Sequence, residues 1–324
     1  MFGLIETFSI IVGFALLIWG ADRFVIGAAG LARTLNVSPL IIGLVIVGFG
    51  TSAPEMLVAG VAGWNGNTGL AIGNALGSNI TNIALVLGVT AIVCPLVVHS
   101  ALLKREFPVL FIIMTLTLIL FVDGNLSTLD GIIFLFGLVL FIAWMVHLGK
   151  QSRSDDPIES EFEEEIPKEL PISKAIFWLI VGLVILLLGA KAVVWGAVEI
   201  AQAFGISDLI IGLTVVAIGT SLPELATTIT SAKKGEDDIA IGNIIGSNMF
   251  NLLGVLGIPA VINPATFDGN VLSRDMPIMF LLTIAIYLMA KGSSGNPGKI
   301  TRMEGIGLTM AYFMYLGLLY YMST

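Results

Sequence analysis

The chain has 324 residues, of which 56% are hydrophobic and only 12% charged, with a formal charge of −8 and a mean hydropathy of +0.99. Soluble globular chains carry roughly 25% charge, so this composition points to a membrane protein. A lone cysteine, Cys94, excludes an internal disulfide and a cysteine metal site, and with only His99 and His147 there is little for imidazole sites or triads.

Crossing a bilayer takes about 20 apolar residues, and ten segments qualify, near 5–33, 39–63, 70–93, 103–122, 127–148, 173–204, 208–232, 238–262, 274–291 and 303–322. The fold class is therefore all-α integral membrane. The first segment lacks a basic leader and is too long for a signal-peptide core, so it reads as a retained span.

Within the second span lies GFGTSAPEM, residues 48–56. Pro54 has no N–H and cannot bond the Gly50 carbonyl four residues back, which interrupts the helix. Glu55 adds a carboxylate at membrane depth, a cost on the order of 2.5–3.5 kcal/mol on insertion scales. Thr51 and Ser52, four and three residues earlier, share a helix face with it. The third span carries Asn74, Ser78 and Asn82 at a spacing of four, again one face. Gly69, Gly73 and Gly77 recur at the same spacing and suit close helix packing. Ser78 and Asn82 read as ligands; Asn74 reads equally as a ligand or as an interhelical hydrogen bond.

After the fifth span, residues 149–172 are polar, acidic and proline-rich. Glu159, Glu161, Glu163, Glu164 and Glu165 mark this stretch as a solvated, disordered linker. It separates a first half, 1–148, from a second, 173–324.

A shift of 169 residues aligns the halves without a gap from Gly20 to Phe111, and about 26 of 58 positions between 38 and 95 are identical to 207–264. The second copy reads AIGTSLPEL at 217–225, so Pro223, Glu224, Thr220 and Ser221 repeat the first set, and Asn243, Ser247 and Asn251 repeat the asparagine–serine stripe. The identity falls on polar residues, which apolar composition alone does not produce. Five spans per half is an odd number, so the second half enters from the opposite side. Inverted repeats with interrupted helices at the midplane are a transporter architecture.

Of the 15 Lys and Arg residues, all but Arg274, Arg23 and Lys191 fall on one side of this arrangement. By the positive-inside rule that side is cytoplasmic, which puts both termini outside and the 149–172 loop inside. Arg23 and Lys191 lie within the first and sixth spans. The donors at the centre are carboxylates, hydroxyls, amide oxygens and main-chain carbonyls, a hard-cation set; calcium accepts about 6–8 such oxygens with flexible geometry. Two carboxylates balance one Ca²⁺ or two monovalent ions.

These paired phrases, GTSAPE with GTSLPE and GNALGSN with GNIIGSN, resemble the two α-repeats of the cation/calcium exchanger superfamily, in its prokaryotic sodium/calcium exchanger branch. The resemblance covers essentially the whole chain. It implies a Ca²⁺ site at Glu55 and Glu224 with the main-chain carbonyls of Thr51 and Thr220. It implies an inner sodium position at the Gly48 carbonyl, Thr51, Ser52, Glu55 and Ser78. An outer one would use the Ala217 carbonyl, Thr220, Ser221, Glu224 and Ser247, with Asn82 and Asn251 facing the middle. It further implies first and sixth spans that slide against an eight-helix core, for which Gly20, Gly27, Gly189 and Gly196 are suited. No cofactor is implied beyond the transported Ca²⁺ and Na⁺, and the expected surroundings are lipid, with no nucleic-acid partner and function as a monomer in the plasma membrane.

Asn251 stands where potassium-dependent branches have an aspartate, which argues against potassium co-transport. Three alternatives remain. A Ca²⁺/H⁺ antiporter would use the same glutamates, although proton-coupled relatives usually carry an acid where this chain has Ser78, Asn82, Ser247 and Asn251. A channel fits inverted repeats poorly. An intramembrane hydrolase lacks its motif, since neither Ser52 nor Ser221 sits in G-x-S-x-G.

Overall fold

The computed structural model describes residues 4–34, 42–98, 101–151, 170–291 and 298–323. Residues 152–169 of the acidic linker with its five glutamates, the first residues of the 38–95 repeat and His99 lie outside them. The described residues are helical almost throughout, and their helices fall at the expected spans. The first half comprises α1 (Leu4–Thr34), α2 (residues 42–51), α3 (Ala53–Trp64), α4 (Thr68–Val93), α5 (Ala101–Phe121) and α6 (Thr128–Gln151). The second comprises α7 (Ile172–Phe204), α8 (Asp208–Thr220), α9 (Leu222–Lys234), α10 (Asp237–Ile262), α11 (Val271–Lys291) and α12 (Arg302–Ser323).

Among the described residues, seven helices are individually long and apolar enough to cross a membrane, and two bent pairs, α2–α3 and α8–α9, bring the number to nine. The apolar part of α5, Glu106–Phe121, is shorter. α4 and α10 are the central helices, with 78% and 89% of their apolar windows buried; α1, α6, α7 and α12 bury only 28%. Large apolar side chains such as Phe8, Phe136, Val139 and Phe313 are exposed on these outer helices. That pattern suits lipid, where an exposed apolar face has no cost and an unpaired backbone group has a large one.

α1 and α7 are the longest helices, at 31 and 33 residues. At 1.5 Å per residue they reach about 46–50 Å, enough to cross a core of about 30 Å obliquely. They pack backbone to backbone along glycines spaced by seven. A Cβ on Gly20 would lie 3.0 Å from Leu186 N, and one on Gly189 would lie 2.9 Å from Gly13 O. Gly13 and Gly182 extend the same seam beyond the glycines read from the sequence. Gly73 and Gly77 likewise admit Leu213. Gly246, which the 169-residue shift pairs with Gly77, would have nothing within 4 Å of a Cβ, so close packing does not explain it.

Two short ribbons tie the halves together. Leu96–Val98 (β1) pairs with Gly298–Ile300 (β4), and Asn125–Leu126 (β2) with Ala265–Thr266 (β3), both antiparallel. In each ribbon one strand comes from each half. Side chains add to the tie: Asn67 Nδ2 donates to Asp208 Oδ2 at 2.9 Å, and Thr68 Oγ1 donates to Asn263 O at 2.8 Å.

Candidate cation site

The interruptions expected at Pro54 and Pro223 are bends of 50° and 41°. Each proline occupies the first turn of the helix after the break, where its missing N–H is tolerated. The Gly50 carbonyl takes the Ser52 N–H instead, and Gly219 shares that of Ser221 with Ala217. Thus these two carbonyls do not stay free, as the missing proline N–H alone had suggested.

At the bends, α3 and α9 begin with Glu55 and Glu224 in their first turns. Both side chains are fully buried. Thr51 Oγ1 comes within 3.4 Å of Ser247 Oγ and Thr220 Oγ1 within 3.5 Å of Ser78 Oγ, so the bends of both halves meet at one place. Among the described residues, neither oxygen of Glu55 has a hydrogen-bond partner, and Glu224 Oε2 has none. Glu224 Oε1 accepts from Ser247 Oγ at 3.4 Å. Among the same residues, Ser52 Oγ, Ser221 Oγ, Asn82 Oδ1 and Asn251 Oδ1 are also buried without a partner. Leaving such groups unpaired costs about 1–3 kcal/mol each, more when charged, so their concentration here sets this place apart from a packing core.

How these oxygens come to face inward is visible in their neighbours. Asn82 Nδ2 donates to Asn248 Oδ1 at 3.2 Å, and Asn251 Nδ2 donates to Asn79 Oδ1 at 3.3 Å. Each amide uses its nitrogen on the opposite repeat, which leaves its oxygen presented. Asn79 and Asn248 were not singled out in the sequence, although the repeated G-S-N would have marked them. A π-helical stretch begins at each presenting residue, Asn82–Leu87 and Asn251–Val255. Such stretches are frequent at functional sites, and no sequence pattern announced them.

Hydroxyls cross between the halves. Thr220 Oγ1 lies 3.1 Å from Asn74 Oδ1, 3.0 Å from Val216 O and 3.5 Å from Ser78 Oγ. Thr51 Oγ1 donates to Gly48 O at 3.1 Å, with Asn243 Oδ1 at 3.3 Å and Ser247 Oγ at 3.4 Å. Ala217 O accepts the Ser221 N–H at 3.1 Å. Asn74 also donates to the Glu55 carbonyl at 3.2 Å. It therefore acts as the interhelical hydrogen bond that was one of its two readings. Gly48, Ala217, Ser78 and Ser247 are all buried around the same cluster.

Arg23 and Lys191 do not neutralise the glutamates. Arg23 Nε is 3.4 Å from Asp22 Oδ2, and its guanidinium stacks between Trp19 and Trp178. Arg274, counted as the one basic residue of the opposite loops, is buried and bonds Asp275 with two nitrogens, at 2.7 and 2.9 Å. Among the described residues, no three or more His, Cys, Asp and Glu side chains gather in one place.

A crevice of about 590 Å³ between α1, α2 and α9 ends on Gly50, Thr51 and Pro223. The donor cluster is thus approached along α1.

A broken-helix membrane protein with a buried cluster of oxygen-bearing side chains at its bends is the class that this fold and site define. Residues 5–147 and 174–321 match the family described as Sodium/calcium exchanger protein, and the chain belongs to that family, whose members are exchangers and not enzymes. It is 42% identical over 322 residues to the inner membrane protein YrbG of Escherichia coli, covering 99% of this chain and 98% of that protein. It is 31% identical to the sodium/calcium exchanger MaX1 of Methanosarcina acetivorans, covering 96% and 97%. A solved structure of the sodium-calcium exchanger NCX_Mj, soaked with Na⁺ and Sr²⁺, superposes with a TM-score of 0.68 at 33% identity, covering 97% of this chain and 98% of that one.

Proposed function

We propose that the protein is a secondary active antiporter that exchanges Na⁺ for Ca²⁺ by alternating access and extrudes calcium from the cytoplasm. One observation carries this reading. At the two bends, six buried residues carry a side-chain oxygen without a hydrogen-bond partner among the described residues, and they form repeat-related pairs, Ser52 with Ser221, Glu55 with Glu224, and Asn82 with Asn251; all are hard-cation donors. Calcium is held by Glu55 and Glu224 with the carbonyls of Thr51 and Thr220. Sodium takes the flanking positions, Gly48, Thr51, Ser52, Glu55 and Ser78 on one side and Ala217, Thr220, Ser221, Glu224 and Ser247 on the other. Asn82 and Asn251 face the middle. The names of MaX1 and NCX_Mj favour sodium as the counter-ion.

In this reading the chain has ten spans in two inverted five-span halves, 1–148 and 173–324, joined by the cytoplasmic linker 149–172. The exchange of strands between halves in both ribbons supports the inversion. The lysines at the end of α9, Lys233 and Lys234, put that end in the cytoplasm of a plasma-membrane protein whose termini are outside. One chain supplies every donor, so the monomer is the working unit.

Ca²⁺/H⁺ exchange is the rival, because two mutually repelling buried carboxylates are relieved by protons as well as by cations. The test is ⁴⁵Ca²⁺ uptake into proteoliposomes under separate outward sodium and proton gradients. Sodium-driven uptake is expected; uptake driven only by protons overturns the sodium assignment.

A further inference from the structure

A second crevice, of about 620 Å³, lies between α7 and α3. It is the counterpart of the crevice that reaches Thr51. The 169-residue shift carries Ile18 onto Leu187, Asp22 onto Lys191 and Leu57 onto Ala226, and each of these residues lines one crevice or the other. At the one position where a charge lines both, the sign is opposite. A charge at membrane depth is found against a partner or a water-filled space, and here the space is the crevice.

Asp22 and Lys191 are both exposed, and their local partners differ. Asp22 has Arg23 at 3.4 Å, yet its side chain stays 57% exposed. The Arg23 guanidinium is held between the Trp19 and Trp178 rings, 5.5 and 5.0 Å from their centroids, and does not line the crevice. Lys191 has no carboxylate within ion-pair distance among the described residues. The Asp22 crevice ends on Thr51, whereas the Lys191 crevice contains no member of the donor cluster.

We propose that Asp22 and Lys191 give the carrier different cation affinities at its two faces, Asp22 concentrating cations in the crevice that leads to Thr51 and Lys191 holding them off in the other. Charged clefts raise or lower local ion concentration in this way. The inference rests on the cation-exchanger reading and makes Asp22 and Lys191 specificity residues of the two entrances, outside the binding cluster. With Lys233 and Lys234 on the cytoplasmic side, the Asp22 entrance is the cytoplasmic one, which suits the capture of dilute calcium for export.

The experiment compares ⁴⁵Ca²⁺ flux in everted and right-side-out membrane vesicles containing the full-length protein. In everted vesicles Asp22→Asn should raise the calcium KM by about threefold to fivefold, with the maximal rate kept, and Asp22→Glu should restore it. In right-side-out vesicles Lys191→Gln should lower KM by a similar factor. Both effects should fade as choline chloride is added, because the charges act through water. Effects of both variants in the same vesicle type, effects on maximal rate alone, or insensitivity to salt would overturn the proposal. Wild-type flux driven by protons and not by sodium would overturn only the sodium assignment, since the two faces can still be compared. No flux under either gradient would overturn both readings.

Discussion

The two half-sites come from one duplicated motif, yet they sit in different surroundings. Around Thr220 everything is sealed: Thr220 and Asn74 are both 0% exposed, and Asn74 is tied on both ends, to Thr220 at 3.1 Å and to the Glu55 carbonyl at 3.2 Å. Around Thr51 the crevice arrives, Thr51 is 6% exposed, and Asn243 is only half-buried, with longer contacts of 3.3 Å to Thr51 and 3.5 Å to Thr228. The lesson is that identical residues do not make identical half-sites. Their access is decided by α1, whose Trp19, Asp22 and Val25 line the crevice, while Phe14 lies over Gly219 in the other half.

The strongest way to break this comparison is at the carboxylates. Glu55→Gln and Glu224→Gln should each lower exchange in proteoliposomes by roughly two orders of magnitude, while the purified proteins stay monodisperse with an unchanged or raised Tm. The amide oxygen introduced by Glu224→Gln can still accept from Ser247, so equal loss in both variants locates the defect in charge rather than in folding. Retained exchange in either variant would refute the site. A smaller effect should separate presenting from orienting asparagines. Asn82→Ala or Asn251→Ala should raise the calcium KM by about tenfold, and Asn248→Leu or Asn79→Leu by only a few-fold, because the latter leave the donor oxygen in place but release its amide. Equal effects would remove the distinction. The smallest effect should distinguish the sealed half from the open one. Asn74→Ala should destabilise the protein by about 2 kcal/mol and Asn243→Ala by about 1 kcal/mol or less, measured by thermal unfolding in detergent, since water from the crevice can replace the Asn243 contacts.

Much of this site is legible in the sequence because its chemistry conflicts with its surroundings. A proline next to a glutamate in an apolar run is a local contradiction, and its recurrence 169 residues later turns two contradictions into one site. Asn82 and Asn251 were legible through the spacing of four. Asn79 and Asn248 recur in the repeated G-S-N, but their role in aiming those amides was not legible, since it depends on a partner from the other half. The π-helical stretches were not legible either, because a one-residue widening of a helix leaves no mark in the hydrophobic pattern. The opposite happened at Gly50 and Gly219: local reasoning freed their carbonyls, and the bends returned an N–H to each.

The sequence by itself determined that the chain lives in lipid, where its helices lie, where two of them break, and that paired oxygen donors surround two carboxylates. Those conclusions follow from quantities local to a few residues: apolar length, the missing proline N–H, and the cost of charge in hydrocarbon. Only the tertiary structure decided that the two bends face each other, that each asparagine is aimed by the opposite half, and that one half-site meets a crevice while its twin is sealed. These depend on how α1 and α7 pack across the repeats, and a duplicated sequence carries the same local instructions twice without stating which copy the solvent reaches.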